Sequence, residues 1–192
     1  MLAADSAVAF WEGCESASFC DVVRGTAPEQ DTRVWMAWDA DEMRVLIRAE
    51  DTHIAATLTE RDAPLYTEEV VEVFFDPVGD GECYFEIEVN PLNAVLDLVL
   101  RRNRSGYQKD FAWRCENLRT SVRRESAAWS VELAIPFRSL AAAPPQPGDQ
   151  WRANFTRIDR PPGVPRELTA WSPTGLANFH VPERFGVIEF SG

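Results

Sequence analysis

Residues 66–90, YTEEVVEVFFDPVGDGECYFEIEVN, constrain the fold more than any other stretch of the chain. They read as two strands joined by a tight turn. In the first strand Val71, Val73 and Phe75 fall on one side, and Glu72 and Phe74 on the other. In the second, Phe85, Ile87 and Val89 share one face, while Tyr84, Glu86, Glu88 and Asn90 share the opposite one. Successive side chains of a strand point to opposite faces, so such alternation implies one buried face and one presented face. The joining residues 76–81, DPVGDG, are the types that break pairing and tolerate turn geometry. The face expected to be presented carries carboxylates and a carboxamide. These groups bond the hydroxyls of a sugar in fixed directions.

Alternating segments recur along the rest of the chain. Residues 32–38 and 43–49 pair as a hairpin around the turn 39–42, and 118–125 and 128–135 form a second such pattern. Residues 94–101, 151–158 and 185–190 are further strands, and 52–65 is a loop or short helix. Residues 103–108 read as a polar loop, and the prolines of 141–149 exclude a helix or inner strand there. No helical period is sustained and no domain linker is evident. The expected fold is all-β, a single antiparallel, jelly-roll-like β-sandwich domain over residues 1–192 with little helix. Trp35, Trp129, Trp151 and Trp171 are expected in its core.

Charge narrows the partners. With a formal net charge of −12, the 192-residue chain is a poor match for nucleic acid or an anionic membrane surface. A neutral ligand or calcium is compatible. Cys14, Cys20, Cys83 and Cys115 contain no CxxC pair, and a core of this size does not need disulfides, so reduced thiols are expected. The amino-terminal residues lack the basic start and apolar run of a signal peptide, and no stretch is long enough to span a membrane. Asp39, Asp41, Asp51, Asp76, Asp80 and Asp159 are loop acids of the kind that ligate calcium, with Asp39, Asp76 and Asp80 the leading candidates. Turns favour Asp in any case. His53 and His180 have no metal-like partner spacing, and Arg61 and Asp62 are read as an ion pair ordering their loop.

In order, the segments Trp38-Asp39, Glu50-Asp51, EVVEVFFDP (69–77), YFEIEVNP (84–91), WSVELAIPF (129–137), GDQWRANFTRID (148–159) and WSPTGLANFHVPERFGVIEF (171–190) resemble the family 9 carbohydrate-binding modules of the DOMON-like β-sandwich superfamily. The resemblance covers nearly the whole chain. It implies non-catalytic binding of a mono- or oligosaccharide, loops braced by calcium, and a glycoside hydrolase as a possible partner. It also implies a clamp of two aromatic rings, which falls here on Tyr66 and Phe179 in place of Trp. The family's strand acid falls on Glu72. Its basic residue falls on Glu88, a charge reversal, and its loop Asn falls near Leu176. Asn90 shares the face of Glu88, and Arg157 is expected to reach that face and replace the lost cation. Three alternatives are a glycoside-acting enzyme using paired carboxylates, a haem-b-binding sandwich and a protein-interaction domain.

Overall fold

The computed structural model describes residues 10, 11 and 13–191. The amino-terminal segment read for a signal peptide lies mostly outside them. Thirteen strands are described, named β1 (Ser16–Ser18), β2 (Cys20–Asp21), β3 (Thr32–Trp38), β4 (Glu42–Glu50), β5 (Val70–Asp76), β6 (Cys83–Val89), β7 (Val95–Asn103), β8 (Gly106–Asp110), β9 (Arg119–Arg124), β10 (Ala128–Pro136), β11 (Gln150–Asp159), β12 (Glu167–Ala170) and β13 (Gly186–Glu189). Helix among these residues is confined to short turns, including Leu65–Thr67 and Phe137–Leu140. No described helix is long and apolar enough to cross a membrane.

The strands form two antiparallel sheets. The first has the order β1-β3-β4-β10-β9, and the second β2-β12-β11-β5-β6-β7-β8. β13 pairs with the start of β11, opposite residues 150–153, while β12 pairs with its end, opposite residues 156–159. Val45, Ile47, Trp129, Val131 and Leu133 of the first sheet meet Val71, Val73, Phe75, Ile87 and Phe155 of the second in one apolar core. Trp129 and Trp151 are buried there as expected, and Trp171 packs against its edge. Trp35 lies on the outward side of β3 and is only half-buried. All four cysteines are free.

The second sheet is covered on its other face as well. Val70, Phe74, Tyr84, Leu96, Leu98 and Leu100 form a second apolar cluster with Leu65, Phe179 and Phe185 from the flanking loops. Every residue of β5 is consequently buried. This corrects the expectation of a presented face: the alternation assigned the residues to their sides, but loops 51–69 and 171–185 close over the side read as open. A strand buried on both faces reads as a nearly continuous apolar run, and VVEVFF has that character.

These loops are anchored by specific bonds. Glu69 accepts from Ala55 N at 3.0 Å, and Asn90 Nδ2 donates to the Leu58 carbonyl at 2.7 Å. Trp171 lies so close to the Gly186 backbone that any Cβ at 186 would overlap its ring. Only glycine therefore permits this seating of the loop that begins at Trp171.

A candidate sugar-binding site over the second sheet

The site is built on register. Glu72 lies directly opposite Glu88 on the neighbouring strand, and Phe74 opposite Glu86. Three glutamates therefore converge on one face, each offering an oxygen within 4.8 Å of the others. They are 3%, 1% and 2% exposed for Glu72, Glu88 and Glu86, so solvent screens their repulsion very little. Like charges facing each other across a sheet destabilise it. Thr156 Oγ1 donates to Glu72 Oε2 at 3.2 Å, whereas Glu86 Oε2 and Glu88 Oε2 are buried without any hydrogen-bond partner.

Burial disfavours the charged form of each acid. It holds Glu72 well above the ordinary carboxylate range, with the charge of Glu86 adding to the effect. Glu88 is raised for the same reason, with both other glutamates contributing. Glu86 is pushed up by burial to about 7, against the lowering influence of Lys109 and its bond to Glu88.

Lys109 and His180 stand beside this trio. Lys109 Nζ lies 3.0 Å from His180 Nε2, and His180 Nδ1 lies 3.1 Å from the Tyr84 hydroxyl and 4.0 Å from Glu86 Oε2. An ammonium can only donate, so Nε2 is the acceptor and Nδ1 carries the imidazole proton. Burial, assisted by the Lys109 charge, lowers His180 to about 4. The ring stands edge-on to Phe74 at 5.8 Å. The sequence offers His180 only as a lone histidine beside Phe179, and it gives Lys109 no place on this face. The polar loop expected over 103–108 instead includes the start of β8, where Tyr107 and Lys109 alternate after Gly106.

The other expected site residues separate. Tyr66 sits in the turn Leu65–Thr67 and is 43% exposed, available to a ligand. Phe179 is 7% exposed and belongs to the apolar cluster covering the sheet. Asn90 is fully buried and its amide is committed to a turn: Oδ1 accepts from Leu92 N and Ala94 N. Arg157 does not reach the trio. It follows Thr156 in β11 and so points to the opposite face, where its guanidinium meets Asp51 at 3.2 Å, Glu69 at 3.1 Å and Asp159 at 3.5 Å. Strand parity forbids both Thr156 and Arg157 from facing Glu72. Arg61 and Asp62 bond chiefly elsewhere, Arg61 to Asp97 at 2.7 Å and Asp62 to Arg114 at 2.5 Å.

Asp39, Asp76 and Asp80 do not converge as a calcium site. Asp39 accepts from Asp41 N and Glu42 N in the β3–β4 turn. Asp76 accepts from Gly79 N and Gly81 N, both at 2.8 Å, and these glycines have φ of +77° and +72°. Asp80 accepts from Glu82 N. Their oxygens already satisfy the turns that contain them. The second converging acid group among the described residues, Asp51, Glu69 and Asp159, is occupied by the Arg157 guanidinium.

The model of the family described as "Carbohydrate family 9 binding domain-like" matches residues 5–192. The chain belongs to this family. Solved structures of family-9 modules and their kin share its fold. A candidate carbohydrate-binding protein from Bacteroides uniformis ATCC 8492 superimposes with a TM-score of 0.77 at 18% identity, over 98% of this chain and 91% of that one. A family 9 module from Caldicellulosiruptor kristjanssonii in complex with glucose gives 0.71 at 17% identity, covering 95% and 87%. The same organism's family 9 module in complex with cellotriose gives 0.72 at 18%, covering 95% and 85%. A search of curated proteins found no match.

Proposed function

We propose that this family-9 domain binds a mono- or oligosaccharide without catalysis, on the outer face of the second sheet. The observation that carries the placement is the convergence of Glu72, Glu86 and Glu88, with two orphaned oxygens, on the face that the loop bearing the exposed Tyr66 covers through Leu65. Unsatisfied buried acceptors call for donors, and sugar hydroxyls are donors. The Tyr66 ring offers an apolar surface for the C–H face of a pyranose. Binding of glucose and cellotriose by similar family modules supports the choice of ligand class.

The geometry does not favour glycosidase chemistry. Paired catalytic carboxyl groups stand roughly 5–9.5 Å apart across a glycosidic bond. Here all three acids crowd one face, with one oxygen of each within 4.8 Å of the others, rather than flanking a cleft from two sides. Haem ligation by Met and His is equally ill-placed, since Met43 lies in the inter-sheet core and His180 on the other face of the second sheet.

A glycan array followed by calorimetry on each hit tests the reading. Saturable binding weakened by Glu72→Gln supports it, and no binding to any saccharide defeats it. Assistance to a glycoside hydrolase is a further proposal, tested by hydrolysis rates of fused and unfused enzyme. A structural calcium is tested by melting curves with calcium and with chelator, because binding to the folded state raises the melting temperature. Identical curves would remove it.

A further inference from the structure

The three glutamates are more acidic in make-up than a neutral sugar requires. Among the described residues no Lys or Arg approaches any of them within ion-pair distance. Lys109 and Arg166 act on Glu72 only from beyond that distance, and Lys109 points its ammonium at His180 Nε2. Arg157, the large buried cation of the second sheet, lies on the opposite face with its own three acids. Independently of this crowding, Glu86 Oε2 and Glu88 Oε2 have neither solvent nor a donor. Among the described residues there are thus two acid trios, one filled by a guanidinium and one with no cation within ion-pair distance.

We infer that the Glu72–Glu86–Glu88 trio receives a positively charged group from the ligand, and that the ligand is an amino sugar bound through its protonated amine. The inference rests on the carbohydrate-binding reading for the sugar and on the trio for the charge. An ammonium carries three donors and no acceptor. It therefore supplies each glutamate with a bond, and each is charge-assisted, about twice as strong as a neutral one. A hydroxyl brings one donor and no charge, so the acids keep their protons beside it, whereas an ammonium replaces those protons and lets the trio ionise against it. Tyr66 would stack on the ring.

Calorimetry on the unaltered chain provides the test, with D-glucosamine, D-galactosamine, D-glucose and N-acetyl-D-glucosamine as probes. Acetylation removes the charge while keeping the ring. At least one amine should bind about tenfold more tightly than glucose and N-acetylglucosamine, a difference within reach of a single charge-assisted contact. Glu88→Gln should abolish this preference, with its melting curve recorded to show that it folds. If it does not fold, the acetylated probe alone still decides. Equal affinity for charged and neutral sugars overturns the inference while leaving carbohydrate binding intact. Saturable calcium binding lost in Glu88→Gln, with no amine preference, overturns it in favour of a metal. Failure of every saccharide overturns both readings together.

Discussion

The ammonium of Lys109 donates to Nε2 of His180 at 3.0 Å, joining residues 71 positions apart at the border of the glutamate trio. The contact fixes the His180 tautomer and helps burial hold the ring neutral. Proton NMR should find His180 titrating near about 4. Lys109→Gln should move that midpoint upward, because one of the two depressing causes is removed. A midpoint at the ordinary histidine value of 6.5 in the unaltered protein would contradict the arrangement.

Among the described residues Arg157 is the single cation paired with Asp51, Glu69 and Asp159, and it also donates to the Glu50 carbonyl at 2.8 Å. Through Glu69 and Asp51 it ties β11 to the loop that carries Tyr66. Arg157→Met leaves three buried acids facing one another and should cost roughly 3–5 kcal/mol of stability by denaturant unfolding. A loss below about 1 kcal/mol would show that the acids are neutralised in another way.

The raised carboxyls give a stability profile with a definite sign. Glu69 is pushed up to about 8 by burial, with its bond to Asp51 adding, and Glu86 to about 7. The folded state keeps protons that the unfolded chain has released, so stability present at low pH is lost as pH rises through these values. His180 acts oppositely, because its folded value near 4 lies below the unfolded 6.5, and its contribution grows between those values. Above 6.5 only the carboxyl contribution changes, and the melting temperature should fall from there to about pH 8.5. Glu69→Gln should flatten this decline. A melting temperature that rises over the interval would be incompatible with protonated buried glutamates.

Tyr66 and Phe179, paired by the family resemblance, should respond differently. Tyr66→Ala removes an exposed ring, so stability should change by no more than about 0.5 kcal/mol, while sugar binding weakens by roughly 1–3 kcal/mol. Phe179→Ala opens a cavity in the cluster over the sheet and should cost roughly 3–5 kcal/mol of stability. Calorimetry and thermal melting on both variants separate the two roles. Equal destabilisation by both would place Tyr66 in the packing as well.

The fold was legible because period-two alternation and turn residues are local signals. The hairpins 32–49, 66–90 and 118–135 and the sides of Glu72, Glu86 and Glu88 could be assigned from them. Burial of the glutamate face was not legible, since alternation tells which side a residue takes and not what covers that side. The cover comes from loops distant in sequence. Arg157 was assigned to the wrong face although it shares strand parity with Trp151, expected in the core, which turns it inward. Lys109 and His180 meet only through tertiary structure. The turn acids Asp39, Asp76 and Asp80 illustrate the ambiguity of Asp, which caps a turn as readily as it binds a metal.

Mapping amide chemical-shift changes during titration with the tightest-binding saccharide from the array tests the central claim most directly. The changes should centre on Tyr66 and its loop, on Lys109, and on residues 176–180, and Glu72→Gln should weaken the binding that produces them. Changes confined to the first sheet or to the cleft between Trp38 and Pro147, with binding indifferent to Glu72, would place the sugar elsewhere and contradict the site described.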